Sequence, residues 1–370
     1  MEHEFTDQIK QILDSQFGKV WEDIYDKSPL LQYLNIKTKS ATRGAKARGS
    51  FANIYAIYVL VEDYLKHGFD SRQDYANYEG ARFTDLFQRQ RELPFGRKLQ
   101  NHALNSRMNE EFKKYFPQTD YVPILRGLQT NRYWINENLL KTRVGQETYN
   151  IAQSVIGIIE QYVEAKRSAF VLFIETCERL RSVAGEGDST AQHFIVGLLA
   201  PQVDARLFEI ASYAILKFYY YDQKVYFGYD LATVQAESLQ LYKTGRTNAN
   251  DGGIDFVMRP LGRFFQVTET LDVKKYFLDI DKIERYPISF VIKSEESVRE
   301  LKQKLRVGAE RQCAIHAIVE KYMRCIEEII NLPVLRQRLS EAVAQGYLQD
   351  ILDEIIRQSK VESNYDVEAK

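Results

Sequence analysis

The stretch Asn250-Asp-Gly-Gly-Ile-Asp-Phe-Val-Met-Arg-Pro-Leu-Gly-Arg-Phe-Phe-Gln-Val-Thr268 decides how this chain folds. Ile254 to Arg259 and Arg263 to Thr270 are rich in strand-forming residues, and Pro260-Leu-Gly262 between them is a turn signal, so the segment predicts a hairpin. Asp255 follows two glycines, which permit a tight turn and let an anion approach the backbone closely. Alternation along the second strand puts Gln266 and Thr268 on one face and Phe265, Val267 and Glu269 on the other. If Gln266 and Thr268 turn toward Asp255, the hairpin carries an oxygen-rich pocket suited to a hard cation such as magnesium.

Working outward, Arg206 to Phe218 has apolar residues at helical spacing and carries Glu209 near its start. Lys224 to Gly228 predicts a short strand, Leu231 to Tyr242 a helix, and Tyr286 to Ile292 a strand whose proline sits near its beginning. Beyond Glu295 the pattern is helical almost to the end. Residues from about 5 to 220 also read as mainly helical, with a strong amphipathic stretch over Phe51 to Lys66 and a long one over Thr148 to Val183. Ala184-Gly-Glu-Gly-Asp-Ser189 is a loop. The expected fold class is mixed α/β, a small mixed sheet in a mainly helical protein. Its expected parts are a helical region over 1–200, a hairpin core over 201–295 and C-terminal helices over 296–370.

The 370 residues are 45% hydrophobic and 27% charged, an ordinary globular composition, with 24 Tyr and 20 Phe. No apolar run approaches the roughly 20 residues that cross a bilayer. The acidic start, Met-Glu-His-Glu-Phe, lacks the plan of a signal peptide, and three cysteines suit a reducing compartment, so a cytoplasmic location is expected. Cys313, His316 and Cys325 lie close in sequence, but without a fourth ligand nearby they read as helix residues rather than a zinc site.

Asp251-Gly-Gly-Ile-Asp255, then Gln266-Val-Thr268, with Phe208-Glu209 on an upstream helix, resembles the PD-(D/E)XK nuclease superfamily. The likeness is nearest to its Mrr-type branch and to type II restriction endonucleases, and covers roughly residues 205 to 293. It implies a restriction-endonuclease-like core, magnesium held by Glu209, Asp255 and Gln266, and hydrolysis of double-stranded DNA. It further implies a homodimer cutting a short, symmetric site, with a DNA methyltransferase as genetic partner. Thr268 stands where the family usually has lysine. Water activation without a lysine, Glu269 brought round by a bulge, or Lys243 are the alternatives. A nuclease for modified DNA and an inactive DNA-binding protein on the same fold remain open beside the restriction enzyme.

The net charge of -1 does not mark a polyanion binder, so local clusters matter more than the total. Lys37, Lys39, Arg43, Lys46 and Arg48 fall within 14 residues that contain no acid, between small residues, a pattern suited to phosphate contacts. Arg97, Gln100, Asn101, His102, Asn105 and Arg107 gather the residue types that read base edges; a polar network between subunits would use the same types. Lys243, Arg246, Asn248 and Asn250 lead into the Asp255 turn and are placed to contact backbone or bases there.

Overall fold

The computed structural model describes residues 2–39, 47–97, 99–183, 189–244, 253–282, 286–313 and 315–363. The chain divides into two compact units, one formed by the residues through Phe173 and the other by Ile174–Glu362. The second unit includes both the hairpin and the helices beyond 295. No described helix is long and apolar enough to cross a membrane.

The first unit is built around α1 (Ala47–Lys66), where Phe51, Ile54, Tyr55, Ile57, Val61 and Tyr64 are buried. Residues apolar on most sides make a helix that is enclosed rather than laid on a surface. Phe51 packs against Tyr162 of α3 (Ala152–Val183), ring centroids 5.5 Å apart, and α2 (Met108–Tyr115) adds Met108 and Phe112 to the same core. Helix is not the whole story here. Ala81–Arg82, Arg132–Ile135 and Ile124–Gly127 form a three-stranded antiparallel sheet, and Lys141–Val144 pairs with Glu147–Asn150. Strands of two to four residues are too short to display an alternating pattern, so the sequence shows no sign of them.

In the second unit α4 (Ala205–Tyr219) begins at Asp204, whose Oδ1 accepts the Arg206 N–H at 2.8 Å. Five strands follow in one sheet whose order is the chain order: β1 (Gln240–Lys243), β2 (Phe256–Arg259), β3 (Arg263–Thr268), β4 (Ile288–Ile292) and β5 (Ile326–Ile330). β2 runs antiparallel to both of its neighbours, β1 and β3, while β3, β4 and β5 are parallel neighbours. A parallel step needs a crossover, and α5 (Val273–Lys282) supplies it between β3 and β4. α4 covers one face, with Tyr213 against Phe256 (5.1 Å) and Tyr220 near Phe265 (6.3 Å). α5 covers the other, where Tyr276 packs on Phe290 at 4.4 Å and Leu301 and Leu305 complete the core. Fully buried β4 is apolar apart from Ser289, as a strand covered on both faces requires.

The hairpin forms as expected at Pro260-Leu-Gly262, with Gly262 at φ +64°. Before it, the strand expected over Lys224 to Gly228 is present as Lys224–Phe227, but the helix expected after it is not. Lys224–Phe227 pairs with Gln235–Ser238 in a separate hairpin, and the first strand of the sheet is Gln240–Lys243. The helix expected over Leu231 to Tyr242 is therefore replaced by two strands. Apolar residues at Leu231, Val234, Leu239 and Tyr242 imitate helical spacing, but the partners that hold β1 straight lie on β2, farther along the chain. The crossover helix α5 and strand β5, which interrupts the helical C-terminal stretch, were likewise not anticipated. Cys313 lies between Val298–Gln312 and His316–Cys325, two helices rather than one.

Candidate active site

Backbone bonds on both sides fix Asp255. Its N–H donates to the Phe265 carbonyl (2.9 Å) and its carbonyl accepts from the Thr244 N–H (2.9 Å), so the chain just beyond β1 and β3 itself both grip it. The Asp255 Oδ2 accepts the Val267 N–H at 2.7 Å, which aims the carboxylate along β3. Gly253, two residues earlier, has φ +72°, and a Cβ there would lie 3.1 Å from both Asp279 Oδ1 and Gln266 Nε2. Only glycine meets both demands. Asp251 and Asn250 of the same motif lie outside the described residues.

Glu209 comes to this place from the first turns of α4. It is buried, with Lys243 Nζ of β1 3.0 Å from its Oε1 and Arg206, one helical turn earlier, on its Oε2. Arg206 is shared with Glu362 at 3.3 Å. Burial pushes the Asp255 carboxyl up to about 7, and the Glu209 charge adds to the rise. The Val267 N–H, Arg206 and Lys243 oppose it. Glu209 and Asp255 are therefore within each other's field, two acids pressed together in a partly dry setting that a divalent cation would relieve.

Gln266 and Thr268 share a face of β3, as alternation requires, but that face meets α5. The Gln266 Nε2 donates to Asp279 Oδ2 at 2.6 Å, while its Oε1 is buried with no hydrogen-bond partner among the described residues. The Thr268 hydroxyl donates to the Thr270 carbonyl at 2.8 Å. Neither side chain bonds to the Asp255 carboxylate, so the oxygen-rich pocket expected from Gln266 and Thr268 is not formed as the strand pattern suggested, and the acid whose field Asp255 feels is Glu209. Among the described residues no three His, Cys, Asp or Glu side chains come together as a metal cluster. Two carboxylates and an orphaned amide oxygen are nevertheless hard-oxygen donors of the kind magnesium takes. Glu269, the alternative base, is paired with Lys293 at 3.0 Å, and Lys293 also lies over the Phe208 ring at 5.4 Å.

Three residues of this neighbourhood escaped the sequence. Arg206 could have been found from its spacing of three from Glu209 on one helix. Asp279 and Lys293 carried no local signal, since each reaches the site only through the crossover.

In the first unit, Lys37 already has an acidic partner. It pairs with Glu111 at 2.6 Å, and Tyr33 Oη and Asn53 Nδ2 donate to the same carboxylate at 3.1 and 2.8 Å. Asn105 faces inward, its Oδ1 accepting from Tyr133 Oη at 3.1 Å. Lys39, Arg97, Gln100, His102 and Arg107 are exposed and Asn101 is half-buried. Ala103–Arg107 forms a π-helical turn leading into α2. Arg43, Lys46, Arg246, Asn248 and Asn250 lie outside the described residues; so does the side chain of Arg48, whose backbone is in α1. A groove of about 960 Å³ beside α1 is lined by Tyr58, Glu62, Asp63, Tyr78, Arg89 and Arg132 among others. Arg89 there is paired with Glu62 at 2.7 Å and Asp63 accepts from the Tyr78 hydroxyl at 2.8 Å, so these cation and acid groups leave little positive field for a polyanion.

Set beside known proteins, the chain matches no family model, no curated protein and no solved structure.

Proposed function

We propose that the protein is a magnesium-dependent endonuclease of double-stranded DNA with its active site at Glu209, Asp255 and Gln266. The observation that carries this is the order α4, β1, β2, β3, α5, β4, which brings an acid from the first helix beside an acid at the mouth of β2. The PD-(D/E)XK resemblance implies a helix with Glu209, a strand over Lys224 to Gly228, the Asp255 hairpin and a strand at Ile288. The strand beside the hairpin is Gln240–Lys243 instead, and the remaining helix, hairpin and strand in that order support a restriction-endonuclease-like core. The first unit is then the larger part of the DNA-recognition and dimerisation region, and a type II enzyme acting as a homodimer on a short symmetric site is the specific form proposed.

A bound magnesium ion would polarise the phosphodiester and offset charge as it develops. Glu209 and Asp255 would hold it, with Gln266 Oε1 as a neutral third ligand. The Val267 N–H keeps the Asp255 carboxylate in place. Lys243 stands where its ammonium can leave Glu209 for a phosphate oxygen, so it is the residue that takes over the charge of the lysine missing at Thr268. The Glu209 carboxylate holds that ammonium ready until substrate arrives.

Incubating plasmid DNA with the full chain and magnesium tests the proposal. Discrete fragments from the wild type, and none from Asp255→Ala, are expected; wild-type cutting by Asp255→Ala would sink it. One observation favours a second reading, an inactive DNA-binding protein: the Thr268 hydroxyl is turned onto the Thr270 carbonyl and β3 carries no lysine in its place. A retarded band without cleavage would support that protein instead.

A further inference from the structure

We infer that Asp279, on the crossover helix, is the positioning residue of the candidate metal site: it sets which end of the Gln266 amide is free and seats the glycine turn that delivers Asp255. The inference rests on Gln266 being a metal ligand, as proposed above. A glutamine amide has two chemically opposite ends, and only its oxygen can ligate a hard cation. Left to itself, the side chain has nothing to choose between them. Asp279 makes the choice, because a carboxylate only accepts. With Nε2 held on Asp279 Oδ2 at 2.6 Å, the oxygen must be the other end, and it has no hydrogen-bond partner among the described residues. Gln266 and Asp279 are 3% and 2% exposed, so water cannot supply the missing direction.

The same carboxylate supports the Asp255 turn. A Cβ on Gly253 would come within 3.1 Å of Asp279 Oδ1 and of Gln266 Nε2, so the turn's backbone lies directly on the pair. One side chain from α5 thereby touches both segments that carry proposed ligands. It also accounts for an amide at position 266: a glutamate there would face Asp279 with no donor between two buried carboxylates.

Exchanging the partners tests this. Mn²⁺ binding is measured by isothermal titration, and thermal unfolding without metal, for the full-length wild type, Asp279→Ala, Asp279→Asn, Gln266→Glu and the double variant Gln266→Glu/Asp279→Asn. Asp279→Ala is expected to weaken Mn²⁺ binding by about 10- to 100-fold, the usual effect of removing a partner that orients a ligand. Gln266→Glu alone should unfold at lower temperature than the wild type. The double variant should recover both unfolding temperature and Mn²⁺ affinity, because the amide then carried by α5 can donate to the carboxylate then carried by β3. Asp279→Asn alone should bind Mn²⁺ more weakly than the wild type, since an amide accepts or donates and no longer fixes the Gln266 oxygen away from α5. Wild-type affinity in Asp279→Ala, or a double variant no better than the worse single one, overturns the role of Asp279; should Asp279→Ala not fold, the exchange decides. A wild type that binds no Mn²⁺ removes the metal site and this inference with it. A wild type that binds Mn²⁺ without cutting DNA removes only the nuclease.

Discussion

Two lysine–glutamate pairs, Lys37–Glu111 in the first unit and Lys243–Glu209 in the second, are similar in geometry and opposite in surroundings. Their separations are 2.6 and 3.0 Å, and all four side chains are largely buried. Around Glu111 the further partners are neutral donors, Tyr33 and Asn53, so the charge is satisfied. Around Glu209 there is a second cation, Arg206, and a second acid, Asp255, whose carboxyl is held up near 7. A satisfied buried pair holds a fold together. A pair pressed against another acid stores electrostatic tension that a metal cation can release, which is why the second is the candidate site.

The contrast can be broken experimentally. Removing Asp255 should matter most: Asp255→Ala should lower plasmid cleavage by more than the roughly 100-fold that follows loss of an outer partner. Lys243→Ala should lower it by about 100-fold, as loss of one charge-stabilising donor does. An equal effect from Lys37→Ala on cleavage would abolish the distinction between the pairs. Glu111→Ala should instead cost about 2 kcal/mol of stability in denaturant unfolding, since Lys37 is left half-buried without its acid, and should spare the rate per folded molecule.

The pH dependence of stability sharpens the same point. The Asp255 carboxyl titrates near 7 in the folded chain, above its ordinary value of 3.8. A raised acid stabilises the fold fully below that ordinary value, and this contribution is lost as pH rises toward 7. Asp255→Asn, which cannot ionise, should therefore unfold a few degrees above the wild type at pH 8, the gain shrinking toward pH 4. A gain that did not vary with pH would show that burial of the charge is not what Asp255 contributes to stability. The smallest effect belongs to Lys39, which is exposed: Lys39→Ala should flatten the slope of log Kd for DNA against log salt by about 0.9, one phosphate contact.

Where the sequence was legible, the signal was local. Pro260-Leu-Gly262 bends the chain whatever surrounds it, and the alternation of Phe265 and Val267 against Gln266 and Thr268 follows from the pleat. Glu209 on an apolar helix was legible for the same reason. Strand β1 was not, because Gln240–Lys243 is a strand only by virtue of its hydrogen bonds to Phe256–Arg259. The partner of Lys37 was not legible, because Glu111 lies 74 residues away and no count of local charge reveals a partner at that separation. The partner of Asn105 was hidden likewise: its side-chain oxygen accepts from Tyr133, 28 residues on.

By itself, then, the sequence determined the hairpin, the turn glycines, the helix bearing Glu209 and the alternation that sets Gln266 apart from Val267. All of these depend on dihedral preference and on the period of the backbone, which act over a few residues. Only the tertiary structure decided which acids share a field, which lysine already has a partner, and that Asp279 turns the Gln266 amide. Electrostatic energies and hydrogen-bond directions depend on distances across the sheet and its crossover helix, and those exist only once the chain has folded.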